Sequence, residues 1–142
     1  MTMLRQAFHE LTVSTHGRGF HDITADIEKW IAANKFRAGL VTLFLRHTSA
    51  SLLIQENVDP GVRHDLEAFF KRLVPDGDPL FIHRAEGDDD MPGHIRTALT
   101  TVNLSIPVRD GEMTLGTWQG ICLWEHRKQS HDRRVTLHFI GE

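Results

Sequence analysis

Ten histidines stand among 142 residues, beside a single cysteine and no tyrosine. Three of the ten fall where polar or turn-like sequence interrupts an apolar run. His47 follows Leu40–Leu45, His83 closes Leu80–Ile82, and His94 lies just beyond Pro92. Neutral imidazoles carried on separate element ends can converge on one divalent ion and leave a position open for water or substrate. His94 falls in the predicted first turn of a helix, where the dipole disfavours added positive charge and favours the neutral, ligating form. The competing reading of each is an ordinary hydrogen-bonded histidine. The chain has neither HExxH nor an i, i+4 histidine pair to decide between the two. His64 on a helix face and His138 on an alternating strand read as partly exposed positions.

Other polar groups recur at comparable places. Glu125 follows the apolar run Ile121–Trp124 and could be a ligand, a general base or an ion-pair partner of Arg127. Thr48 and Ser49 can donate hydrogen bonds to an anionic ligand. No G-x-S-x-G elbow, Walker loop or dinucleotide fingerprint is present, so serine-hydrolase and nucleotide-loop chemistry have no support. Asn57 and Asp59 fit turn and cap roles, and Trp118 fits packing. Asp88-Asp89-Asp90 reads as capping and dipole complement of the helix that follows. Cys122 sits in an apolar strand context, where a buried inert thiol is expected, and a lone cysteine excludes an internal disulfide.

The elements that must position these groups follow from periodicity. Leu4–Ser14 and Phe20–Ile23 read as strands, and Thr24 as a cap for a helix carrying Ile27, Trp30 and Ile31. Leu40–Leu45 and Leu52–Ile54 read as further strands. Asp59 caps a second helix with Pro60 in its first turn and Val62, Leu66, Phe69, Phe70 and Leu73 as its stripe. Leu80–His83 reads as a brief strand, and a short third helix holds Ile95, Ala98 and Leu99. Arg109-Asp110-Gly111 is a hairpin signal between Leu104–Val108 and Glu112–Leu115. Ile121–Trp124 and Val135–Ile140 complete about eight strands and three helices, one α+β domain over residues 1–142. The 16 basic and 19 acidic residues are spread evenly, which argues against nucleic-acid or polybasic membrane binding. Without a continuous apolar N-terminal core or a membrane-length apolar run, a soluble cytoplasmic protein is expected.

Several segments, in order, resemble the YjbQ-type family: His47-Thr48-Ser49-Ala50, Glu56–Pro60, Asp89–Ile95, Ser105–Val108 and above all Asp110–Ile121 with its Gly-Thr-Trp-Gln. The resemblance spans about Leu4 to Glu142. It implies a two-layer α+β fold with a mixed sheet, a homotrimer, and secondary thiamine-phosphate synthase activity. That reaction joins hydroxymethylpyrimidine diphosphate to thiazole phosphate with release of pyrophosphate. The family pattern has histidines matching His47, His83 and His94, implying a metal set for which zinc is best suited, ahead of nickel or iron. It also has positions matching Asp65, Gln119 and Glu125. Glu125 or Asp65 would orient ligands or move a proton. Thr48, Ser49, Asn57 and Gln119 would hold the phosphorylated ligand, with Arg127 at the departing pyrophosphate and His126 a minor candidate. The alternative is a trimer that binds a metal or phosphometabolite without turnover.

Overall fold

The computed structural model describes residues 3–142. Eight strands and three helices run in the order β1 (Arg5–Ser14), β2 (Gly19–Asp22), α1 (Thr24–Ala33), β3 (Gly39–Leu45), β4 (Ala50–Glu56), α2 (Pro60–Leu73), α3 (Asp90–Leu99), β5 (Asn103–Arg109), β6 (Glu112–Met113), β7 (Gln119–Glu125) and β8 (Asp132–Gly141). The fold is α+β, as expected. In place of one mixed sheet there are two sheets, of order β1-β8-β3-β5-β6 and β2-β7-β4. Every ladder is antiparallel. No parallel crossover is required, because sequence neighbours such as β5 and β6 close through a tight turn. Asp110 and Gly111 both take positive φ there, at 54° and 81°, the geometry that lets a two-residue turn match strand twist.

The apolar core lies between the sheets and is closed by α1. Ile23, Ile27 and Ile31 meet Val41, Leu43 and Leu45 of β3, Ile121 and Leu123 of β7, and Val135, Leu137 and Phe139 of β8. From Gly120 to Arg127 every residue is buried, so β7 is covered on both faces. Its near-continuous apolar sequence follows from that double burial. Trp124 stacks on Phe20 and meets Phe70 of α2 edge-on. Cys122 is buried, and burial pushes its thiol up, as expected of an inert position.

Three local expectations are corrected. Leu80–His83 forms no strand; no neighbouring strand edge pairs with it, and Leu80 and Ile82 stand almost fully exposed. Thr24 is not a cap: it is the first helical residue, and its hydroxyl accepts the Ile121 N–H at 2.8 Å. Asp89 precedes α3 but caps nothing with its side chain. Asp59 does cap α2, accepting from the Gly61 N–H at 2.8 Å.

His126, completely buried just after β7, faces Ser51 with Nε2 at 2.7 Å from the hydroxyl. Burial, helped by the charges of Arg96, Arg18 and Arg133, lowers its pKa from 6.5 to about 3. The unfolded chain therefore takes up a proton below pH 6.5 that the native chain refuses. Stability from this residue is complete above pH 6.5 and is lost as pH falls toward 3, by at most about 1.4 kcal/mol per pH unit. Urea unfolding across that range should give a shallower acid slope in His126→Gln than in the wild type.

Candidate functional site

Asp90 and His94 sit one turn apart on α3, and the loop before the helix returns His83 to them. The ligand-capable atoms of His83, Asp90 and His94 all lie within 4.8 Å of one another. Asp90 Oδ2 is 2.7 Å from His83 Nε2 and 3.3 Å from His94 Nε2, and its side chain is only 3% exposed. The other oxygen, Oδ1, accepts from Arg127 at 2.8 Å. Asp90 lies in the first turn of α3, where the helix dipole favours a negative charge.

Proton positions follow from the partners. His94 Nδ1 lies 2.9 Å from the Thr48 carbonyl oxygen, which can only accept, so Nδ1 carries the hydrogen. In the neutral ring the lone pair is then on Nε2, aimed at a carboxylate oxygen. Two acceptors facing each other call for a cation between them, either a proton on Nε2 or a metal ion. Two imidazoles and one carboxylate are a donor set that divalent transition ions accept. The Thr48 carbonyl supplies the outer hydrogen bond that fixes a ligating histidine's tautomer. The donor chemistry thus fits a divalent ion, with Asp90 in the place expected for His47.

His47 is held elsewhere. Its Nε2 accepts the Arg134 backbone N–H at 2.8 Å, so the ring's single lone pair is spent and the hydrogen sits on Nδ1. Nδ1 lies 3.4 Å from the Arg133 guanidinium, a contact of two donors. Burial, with Arg133 adding repulsion, pushes the His47 pKa down. Together these engage the His47 ring at the sheet end, so the structure does not bring it into the cluster of His83, Asp90 and His94.

The remaining expected residues separate. Thr48 contributes its carbonyl, and the Ser49 hydroxyl accepts from Arg133 at 3.0 Å. Glu125 is fully buried in an ion pair with Arg133, whose Nε donates to Oε1 at 2.9 Å, and Thr15 donates to the same oxygen at 2.7 Å. Burial alone would raise its pKa, but hydrogen bonds from Arg133 and Thr15 outweigh that and hold it below the usual carboxylate range. The structure thus places Glu125 in a buried ion pair away from the cluster, with its partner Arg133 rather than Arg127. Asp65 points from α2 into solvent with His64 as its neighbour, away from the cluster. Arg127 is bound by carboxylates. Asn57 and Gln119 line a different cleft of about 540 Å³, with Thr24, Glu28, Met113 and Thr117. The Gln119 carboxamide oxygen accepts the Gly116 N–H there at 2.7 Å.

The residue of this cluster that the sequence reading did not single out is Asp90. Its available signal was the Asp-x-x-x-His spacing, which puts a carboxylate and an imidazole on one helix face.

These features define an α+β protein of two antiparallel sheets with an acid–imidazole cluster at the head of its third helix. The chain belongs to the YjbQ family: a family model described as UPF0047 protein YjbQ-like matches residues 9–142. A UPF0047 protein of Synechocystis sp. is 47% identical over 138 residues, covering 97% of this chain and 94% of its own. The UPF0047 protein YjbQ of Escherichia coli O157:H7 is 47% identical over 133 residues, 93% and 96% of the two chains. Among solved structures, a conserved hypothetical protein of Thermus thermophilus superposes with a TM-score of 0.80 at 35% identity, covering 91% of this chain and 97% of its own. A YbjQ-like protein of unknown function from Sulfolobus solfataricus P2 shares the fold at a TM-score of 0.89 and 24% identity, over 99% of this chain and 100% of its own.

Glu125→Gln should cost about 3–5 kcal/mol in urea unfolding, because it leaves the Arg133 guanidinium buried without its counter-charge. A loss below about 1 kcal/mol would show that the pair is not structural.

Proposed function

We propose that this protein is a metal-dependent enzyme of small-molecule metabolism, with its centre at His83, Asp90 and His94, a small anionic metabolite as ligand and a cytoplasmic setting. The observation that carries the reading is the convergence of His83, Asp90 and His94, with His94 Nε2 3.3 Å from the buried carboxylate, an arrangement a divalent cation would complete. Zinc suits two imidazoles and a carboxylate, and it would supply Lewis-acid polarisation of a ligand oxygen or an activated water. Asp90 contributes the negative charge, and the Thr48 carbonyl orients His94. His83, half exposed at 48%, would turn a ring-nitrogen lone pair to the cation in place of the hydrogen bond it shares with Asp90. Thiamine-phosphate formation, the reaction the family resemblance implies, is the specific activity to assay with metal present.

One observation favours a second reading, a non-catalytic metal- or phosphometabolite-binding protein. Glu125 and Asp65, the residues expected to move a proton, both lie away from the cluster. Saturable metabolite binding with no turnover in the zinc-loaded protein would select it.

Elemental analysis of untagged protein, after exchange with zinc, should find near-stoichiometric metal in the wild type and in His47→Ala. His94→Ala and His83→Ala should lose most of it. Absence of zinc from the wild type, or its retention in His94→Ala, would end the metal reading.

Homotrimer formation belongs to the same proposal and is supported by the outer face of the five-stranded sheet. Phe8, Leu40, Phe44 and Ile140 stand exposed on it across three adjacent strands, interspersed with Thr42, Thr136 and His138, apolar side chains that a second copy would cover. Light scattering should find a trimer in the wild type and a smaller species in Phe44→Glu; a wild-type monomer would refute it.

A further inference from the structure

Arg127 is fixed from behind and reaches forward. Its backbone N–H donates to Glu125 Oε2 at 3.2 Å, which anchors it to the buried pair between the sheets. Its side chain, 10% exposed, spreads over three acceptors in the α3 approach. Nε donates to Asp89 Oδ2 at 3.1 Å, one terminal nitrogen to Asp90 Oδ1 at 2.8 Å, and the other to the Glu86 carbonyl at 2.8 Å. By occupying Oδ1, the guanidinium leaves Oδ2 as the Asp90 oxygen that faces both imidazoles. It also offsets the repulsion between two neighbouring carboxylates that are each nearly buried.

We infer that Arg127 is the positioning residue of the His83–Asp90–His94 centre, acting through Asp90 and the 86–90 loop rather than on a ligand. This assignment rests on the metal reading above and replaces the expected role of Arg127 at a departing pyrophosphate. The planar fork is essential to it. A lysine at this position keeps the charge but cannot hold Asp89, Asp90 and the Glu86 carbonyl at once.

The test is the zinc dissociation constant, by competition with a chromophoric chelator, for wild type, Arg127→Lys, Arg127→Gln and His94→Ala. The visible spectrum of the cobalt(II)-substituted proteins is recorded alongside. Arg127→Lys should bind zinc roughly 10–100-fold more weakly, the range for losing a partner that orients a metal ligand, and its cobalt bands should shift. Should Arg127→Gln fail to fold, the lysine variant carries the test alone. Wild-type zinc affinity and an unshifted cobalt spectrum in Arg127→Lys overturn the assignment, and they do so even if its melting temperature falls. A wild type that takes up no zinc, or a His94→Ala variant that binds it equally well, overturns the metal reading and this assignment together. Weakening in His94→Ala without weakening in Arg127→Lys overturns the assignment alone.

Discussion

The ion pair between Glu125 on β7 and Arg133 on β8 ties the three-stranded sheet to the five-stranded one, and the surrounding geometry hangs from it. Both groups are buried, and taking two charges out of water costs several kcal/mol per ion unless the pairing is well made. Here the carboxylate receives the Arg133 fork, the Thr15 hydroxyl and the Arg127 backbone N–H. The guanidinium in turn donates to the Ser49 carbonyl and hydroxyl. Segments distant in sequence thereby meet at one point: the end of β1, the approach to β4, the end of β7 and the start of β8. An apolar contact would hold the sheets together without fixing the azimuth of each segment, whereas a satisfied fork admits one arrangement.

That arrangement divides the histidines by function. The Arg134 backbone N–H holds His47 while the Arg133 charge disfavours its protonation, so the ring serves the sheet end. One residue further, the Thr48 carbonyl turns to His94 Nδ1 and leaves Nε2 free. Across the same junction Arg127 grips the acidic loop and sets Asp90 at the head of α3. The guanidinium donates to Asp90 Oδ1 and to Asp89 Oδ2, which fixes the carboxylate's orientation at the helix start. The cluster is therefore assembled by the sheet junction rather than by its own loop.

The fold was legible where local pattern and burial agree. The doubly covered run Ile121–Trp124, the alternation in β8, the Asp59-Pro60 helix start and the Asp110-Gly111 turn all carry their conformations in nearest-neighbour chemistry. Legibility ended where long-range pairing decides. Asp89 looks like a cap in sequence, yet its carboxylate is taken by Arg127 and Lys128, 38 and 39 positions away. Glu125 in sequence could be a ligand, a base or a partner of Arg127, and only the fold brings Arg133 over it. His83 and His94 were recognisable by context. His47 had the same context, and its exclusion depends on a backbone N–H of Arg134 that no local signal announces. Asn57 and Gln119 share motif-rich segments with the other candidates, but register places them in another cleft: Glu56 pairs with Gln119 at the far end of the β4–β7 ladder, while Ala50 pairs with Glu125.

Strand β7 and the residue after it show how one alternation separates two electrostatic regimes. Glu125 points to the five-stranded sheet and is kept ionised by donors. His126 points the other way, toward α3, and is kept neutral. The Thr100 hydroxyl donates to the Arg96 carbonyl at 2.8 Å, so its oxygen receives the Ser51 hydroxyl. The Ser51 oxygen then accepts from His126, which places the ring hydrogen on Nε2 and leaves Nδ1 as a lone pair. That atom is buried without a partner among the described residues, as are two nitrogens of the fully buried Arg96. An unprotonated imidazole is what a neighbouring guanidinium tolerates, since a second buried cation would meet direct repulsion. The same arginine-rich interior that stabilises the carboxylates at Glu125 and Asp89 thus keeps His126 uncharged. Side-chain direction along one strand decides which of the two outcomes each residue meets.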